Sequence, residues 1–176
     1  MFNVSRAPIY DQDAVQFMRD ELLAVGFEEL LTPQEVDKAI NVNNDEVNLV
    51  FINSVCGCAA GSARPGVSLA LQNSKIPDKL YTVFAGQERD AVDEVRKLVK
   101  IYPPSSPSVA MFKNGQLVYF MQRYDIEGYG PEHIAKELID AFNELCTKQG
   151  PSVSPEVYES IVYAKSCGSK IPLNKN

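Results

Sequence analysis

Residues 47–66 read VNLVFINSVCGCAAGSARPG, and the fold turns on how they are parsed. VNLVFIN, 47–53, is an apolar, β-branched run of the kind that forms a buried strand. It gives way to small residues carrying Cys56 and Cys58 with only Gly57 between them. Pro65 then leads into GVSLALQNS, which reads as helix to about Asn73. Two thiols therefore sit where a strand ends and a helix begins.

Such a pair has three readings: a redox couple, a metal clamp, or two small buried residues. Unpaired amide N–H groups and the positive end of the helix dipole favour a thiolate over a thiol there, and the thiolate is the reactive form. Cys56, nearer the loop, reads as the attacking sulfur, and Cys58, one residue into the turn, as the resolving one. Gly57 leaves both sulfurs and a docking substrate unobstructed. A disulfide across one residue needs a bent backbone and should be easily reduced, which favours exchange over durable reduction. For a metal, two thiolates suit Zn²⁺ or Cu(I), but structural zinc usually takes four ligands, and Cys146 and Cys167 supply no second close pair. The redox reading leads.

Working outward, Val15, Met18, Leu22 and Val25 recur at helical spacing over 12–25, and Gly26 supplies a stop. TPQE, 32–35, has the form of a capping box with proline at the first helical position. KLYTVFA, 79–85, reads as a second strand, and 88–100 as a helix with Ala91, Val92, Val95, Leu98 and Val99 on one face. After the turn-rich YPPSSP, SVAMFKNGQLVYFMQR gives two strands around Asn114-Gly115. Pro131 opens a helix striped by Ile134, Leu138, Phe142 and Leu145. GPSVSP, 150–155, reads as a linker to a short amphipathic helix around Val157, Tyr158, Ile161 and Val162. A crossover helix followed by a tight hairpin implies an α/β protein with a central mixed β-sheet flanked by helices.

The 176 residues suit one main domain, and 45% apolar with 23% charged residues is ordinary for a globular chain. A net charge of −6 without a basic cluster argues against nucleic acid or a membrane surface as partner. No apolar run approaches the roughly 20 residues of a membrane helix. The opening MFNVSRAPIYDQD lacks the apolar centre of a signal peptide. Four cysteines are too few for a disulfide scaffold, so the expected location is cytoplasmic, with thiols reduced. The single histidine, His133, weakens any Cys/His catalytic scheme and reads as a solvated residue.

Two segments carry a family resemblance. PSVAMFKNGQLVYF, 107–120, resembles the thioredoxin segment in which a cis-proline precedes a strand and a Lys-Asn-Gly hairpin. More specifically, NSVCGCAAGSARP, 53–65, resembles the bacilliredoxin family of thioredoxin-like proteins with a CGC centre, and the Thr-Pro-Gln-Glu helix start fits it too. The resemblance spans about residues 8–146 and implies a thioredoxin-like fold with an extra N-terminal helix. It divides the chain into a thioredoxin-like domain, 1–146, and a C-terminal extension, 147–176. It implies a thiol–disulfide oxidoreductase that removes bacillithiol, a low-molecular-weight thiol, from protein mixed disulfides, with weak disulfide isomerase activity. In that cycle Cys56 accepts the adduct, and release follows by a second thiol or by Cys58. No tightly bound cofactor and no metal is expected. The thiol is a cosubstrate, and the partners are S-thiolated client proteins.

The same resemblance makes Pro107 the cis-proline beside the cysteines and Ser106 a source of backbone groups for an extended substrate. Arg64, six residues past the centre, is a candidate for holding an anionic thiol ligand, its plain alternative being a surface arginine. Asn53 and Ser54 are candidates for hydrogen bonds to a sulfur or for capping the helix. The chain departs from thioredoxins in having Val55, not tryptophan, before the first cysteine. It also has Val50 near the position of their buried acid, which leaves the second thiol without an obvious internal proton acceptor and makes general disulfide reduction poor. Cys146 reads as core and Cys167 as an exposed or third redox thiol. The sequence defines no oligomeric state. The competing reading from another class is a non-catalytic module whose CGC thiolates bind a soft metal or a protein partner.

Overall fold

The computed structural model describes residues 5–163 and 171–174. The expected strand is β2 (Val47–Asn53), and every one of its residues is buried, because it runs through the middle of the sheet. Around it lie β1 (Glu28–Glu29), β4 (Lys79–Phe84), β5 (Ser108–Lys113) and β6 (Gln116–Met121), in the order β1-β4-β2-β5-β6. β2 runs parallel to β4 and antiparallel to β5, so the sheet is mixed. β5 and β6 form the predicted hairpin. Asn114 at φ 52° and Gly115 at φ 71° give it the left-handed pair of turn residues that matches strand twist.

Alternation along β2 sorts the helices onto two faces. Val47, Leu49 and Phe51 point into one cluster with Val67, Ile134, Leu138 and Phe142, that is, towards α3 (Arg64–Ala70) and α6 (Pro131–Leu145). Val50 and Ile52 point into the other, with Val36 and Ile40 from α2 (Pro33–Ile40) and Val92 and Val95 from α4 (Arg89–Leu98). This layering is a thioredoxin-like α/β fold: the cysteine-bearing helix follows the central strand, and the Ser106–Pro107 peptide, which is cis, precedes β5. α3 and α6 approach so closely that a Cβ on Gly66 would stand 2.7 Å from Ile134 Cβ.

Thr32 and Glu35 form the capping box read from TPQE, with Pro33 in the first turn of α2. The N-terminal helix α1 (Gln12–Leu23) is capped by Asp11 and held by Arg19, which pairs with Glu29 and Glu88 and lies over the Phe84 ring at 5.2 Å.

Two expectations change. The helix after the cysteines does not wait for Gly66 but starts at Gly57, and passes through a widened π-helical turn, Ala59–Ala63, before α3. Pro65 gives the reason: its ring cannot sit in a tight helix interior, and the wider turn lets the Arg64 N–H reach back to the Ala59 carbonyl just before it. Second, GPSVSP is not a free linker. β7 (Lys148–Gln149) pairs with β3 (Lys75–Ile76), Ser152 N–H donates to the Leu71 carbonyl, and Val153, Tyr158 and Ile161 pack on the main cluster beside the short α7 (Pro155–Glu159). Residues 171–174 return to the N-terminal segment, where Asp11 N–H donates to the Pro172 carbonyl and Ile171 packs with Val55 and Phe84. Cys167 lies outside the described residues.

Candidate active site

The two cysteines leave the sheet at its centre, where β2 meets the helix, and both are partly exposed free thiols with exposed Gly57 between them. Cys56 stands immediately ahead of the first helical turn. Its carbonyl accepts from Ala59 at 3.1 Å and from Ala60 at 3.2 Å, and its sulfur accepts from the Ala59 N–H at 3.4 Å. The sulfur thus occupies the place that a capping oxygen fills at other helix starts. Neither Asn53 nor Ser54 caps this helix. The Ser54 hydroxyl instead lies 3.1 Å from Cys56 Sγ, so negative charge on that sulfur meets two donors.

Cys58 is set differently. It leans against the main hydrophobic cluster, and its thiol is lifted to about 12, with burial the largest cause. A hydrogen bond to the Cys56 sulfur, that sulfur's charge and Glu127 contribute to the same rise, while Arg123 opposes it. The pair is therefore asymmetric: an outer sulfur facing donors and an inner thiol held protonated.

Strand register brings the remaining groups alongside. Ile52 pairs with Ser108, which carries Pro107 and Ser106 to the level of Asn53 and Ser54. Val109 pairs with Met121, which carries Arg123 to the level of Pro107 on the far side. Arg123 opens the short α5 (Arg123–Ile126); its N–H donates to Ser105 Oγ at 3.4 Å, and its guanidinium bonds Glu127 at 3.1 Å. Ile126, fully buried in the cluster that Cys58 touches, anchors this segment. Pro107 is buried and Ser106 partly exposed.

Arg64 and Asn53 are not placed to meet a ligand. Arg64 is fully buried, with its Nε donating to Glu21 Oε2 at 2.5 Å and its NH1 to the Ser54 carbonyl at 3.0 Å. Asn53, also buried, donates to the Met18 carbonyl at 3.1 Å. Arg64, read as a ligand-holding arginine or else a surface one, is neither and lies under the site, and Arg123, which sequence reasoning passed over, lies beside it. Counting back from the Asn114-Gly115 turn sets residue 122 opposite the cis-proline; the register shift between Met111 and Phe112, which no local signal announces, moves Arg123 into that place. His133 is exposed and stacks on Tyr129, with ring centroids 4.2 Å apart. Among the described residues no group of three or more His, Cys, Asp or Glu side chains is arranged to hold a metal ion.

The disulphide isomerase family model matches residues 10–146. A bacilliredoxin of Halalkalibacterium halodurans is 49% identical over 137 residues, covering 78% of this chain and 94% of that one. The chain is a bacilliredoxin. A second member, from Salinibacter ruber, is 47% identical over 81% of this chain and 83% of its own. A solved thioredoxin from Plasmodium falciparum superposes with a TM-score of 0.45 at 23% identity, over 66% of this chain and 98% of that one. At that likeness it is the strand order and the cis-proline that define the fold. As a bacilliredoxin the chain is a thiol–disulfide oxidoreductase, and no helix among its described residues is long and apolar enough to cross a membrane.

Proposed function

We propose that this bacilliredoxin removes bacillithiol, or a similar small thiol, from S-thiolated proteins in the cytoplasm, with Cys56 as nucleophile and Cys58 as resolving thiol. The observation that carries this reading is the asymmetry of the pair. The Cys56 thiolate attacks the small-thiol sulfur of the mixed disulfide, and the client thiolate leaves with the electron pair of the broken S–S bond. Cys56 now holds the small thiol as a new mixed disulfide.

That step also changes Cys58. Once bonded, the Cys56 sulfur carries no charge and no longer accepts the Cys58 proton, so two of the causes that lift the Cys58 thiol vanish. Burial, the largest cause, remains. Cys58 is thus held back until its partner is loaded, then loses a proton to solvent, attacks Cys56 and releases the small thiol as thiolate. Alternatively a second small thiol attacks the adduct and leaves Cys56 reduced. The first route ends in a Cys56–Cys58 disulfide, which an external dithiol or small thiol must reduce. The backbone at partly exposed Ser106, just ahead of Pro107, would receive an extended client segment, and a weak isomerase activity would use the same exchange on protein disulfides.

The test is intact-mass spectrometry of Cys58→Ala and Cys56→Ala variants mixed with a bacillithiolated model protein. An adduct of bacillithiol mass on Cys58→Ala, absent from Cys56→Ala, supports the cycle. A covalent adduct with the model protein itself points to isomerase or reductase chemistry. A model protein left fully modified by both variants and by the unaltered chain removes the proposal.

A further inference from the structure

Beneath the nucleophile lies a polar group that the exchange reaction itself does not touch. Arg64 is 0% and Glu21 3% exposed, joined by the 2.5 Å bond from Arg64 Nε. Arg64 NH1 donates both to the Ser54 carbonyl, at 3.0 Å, and to Asn53 Oδ1, at 3.2 Å. Asn53 Oδ1 also accepts the Ser54 N–H at 2.9 Å, and Asn53 Nδ2 is tied to the Met18 carbonyl on α1. The Ser54 backbone is thereby gripped at both polar ends, at N–H by Asn53 and at C=O by Arg64. What remains free to turn is its hydroxyl, 3.1 Å from Cys56 Sγ.

A buried ion pair is a poor source of net stability, since desolvation offsets most of its attraction and an apolar pair of similar size does as well or better. The bonds of this one converge on Ser54, whose hydroxyl reaches the reacting sulfur. We propose that Ser54 is a catalytic residue, donating a hydrogen bond to the Cys56 thiolate, and that Glu21–Arg64 is a positioning pair that fixes Ser54 for that purpose. The proposal rests on Cys56 being the reacting sulfur. Ser54 keeps its proton throughout: it donates to Cys56 as attacking thiolate, gives up that role while the sulfur is bonded, and resumes it when Cys56 leaves as thiolate. Cys58 and Arg123 also face the Cys56 sulfur, so their influence must stay constant in the comparison.

The experiment measures initial iodoacetamide labelling of Cys56 by peptide mass spectrometry, in the full reduced chain, from neutral to strongly alkaline pH. Loss of one charge-assisted hydrogen bond in Ser54→Ala should slow labelling about tenfold at neutral pH. The rates should converge at alkaline pH, where the sulfur is ionised in both proteins. Rates that coincide at neutral pH overturn the role of Ser54, and so does a deficit that is equal at every pH. The double variant Glu21→Met/Arg64→Met removes the ion pair without leaving a lone buried charge. If it folds, a profile like that of Ser54→Ala supports the positioning role, and an unaltered profile refutes it. Should it fail to fold, Arg64→Lys, which keeps a cation for Glu21 and loses the forked donors to Ser54, is read in the same way. None of these readouts involves bacillithiol, so failure of the de-thiolation assay leaves them standing. Faster labelling of Cys58 than of Cys56 would instead sink the assignment of the nucleophile itself.

Discussion

Two arginines flank the cysteine pair, and they are built to opposite rules. Arg64 forms the floor: it is fully buried, and its bonded groups are Glu21, Asn53 and Ser54. Arg123 belongs to the rim: its side chain is 42% exposed and its carboxylate partner, Glu127, is four residues on, just past the end of the same short helix. The floor works by fixed geometry in a medium where a misplaced charge is costly. The rim works by charge in water, where the pair itself contributes little to stability. A shared residue type therefore says nothing about role until burial is known.

The contrast is sharpest in stability. Glu21→Ala leaves the Arg64 charge buried and should cost about 3–5 kcal/mol in urea unfolding. A loss below about 1 kcal/mol would mean that water reaches the floor. The second expectation concerns the two sulfurs, one facing the rim and one leaning on the core. Cys58, lifted to about 12, should label with iodoacetamide at mildly alkaline pH about a hundredfold more slowly than an ordinary thiol, and behind Cys56. Equal initial rates would erase the asymmetry. Next comes the packing that holds the floor: Gly66→Ala places a methyl against Ile134 and should destabilise by about 1–3 kcal/mol, read as a lower thermal midpoint. Smallest is Arg123→Ala, which should change stability by less than about 1 kcal/mol. It also removes a charge that lowers Cys58, so the second exchange step should slow while the first adduct still forms, as time-resolved mass spectrometry would show.

What could be read from the sequence, and what could not, follows the range of the interactions. β2, the hairpin and α6 carry their own periodicity or turn residues, and the capping box at Thr32 is closed within four positions, so local pattern finds them. β1, β3 and β7 have two residues each and α5 has four, too short for any period to show. The cysteine pair was legible because its chemistry depends on a local event, a helix starting after a strand. Arg64 was not, because the partner that draws it inward, Glu21, is 43 positions away on another helix. Ser54 was legible as a sulfur donor but not as a fixed one, since the fixing is done by that distant pair.

The widened turn at Ala59–Ala63 has a consequence of phase. A π-helical turn holds one residue more than an α-helical one, and each residue of an α-helix advances the side-chain direction by about 100°. The thiols stand before this turn, and Arg64, Val67 and Ala70, which face the interior, stand after it. The extra residue acts as an angular offset between the part of the helix that reacts and the part that is anchored. Removing Gly61, whose surroundings are open, would return the turn to ordinary pitch and rotate one part against the other. Either the sulfurs would swing away from Ser54 and the cis-proline or Arg64 would swing away from Glu21. The aim of the nucleophile is thus set partly by counting: one residue between Cys58 and Pro65 serves as an angle.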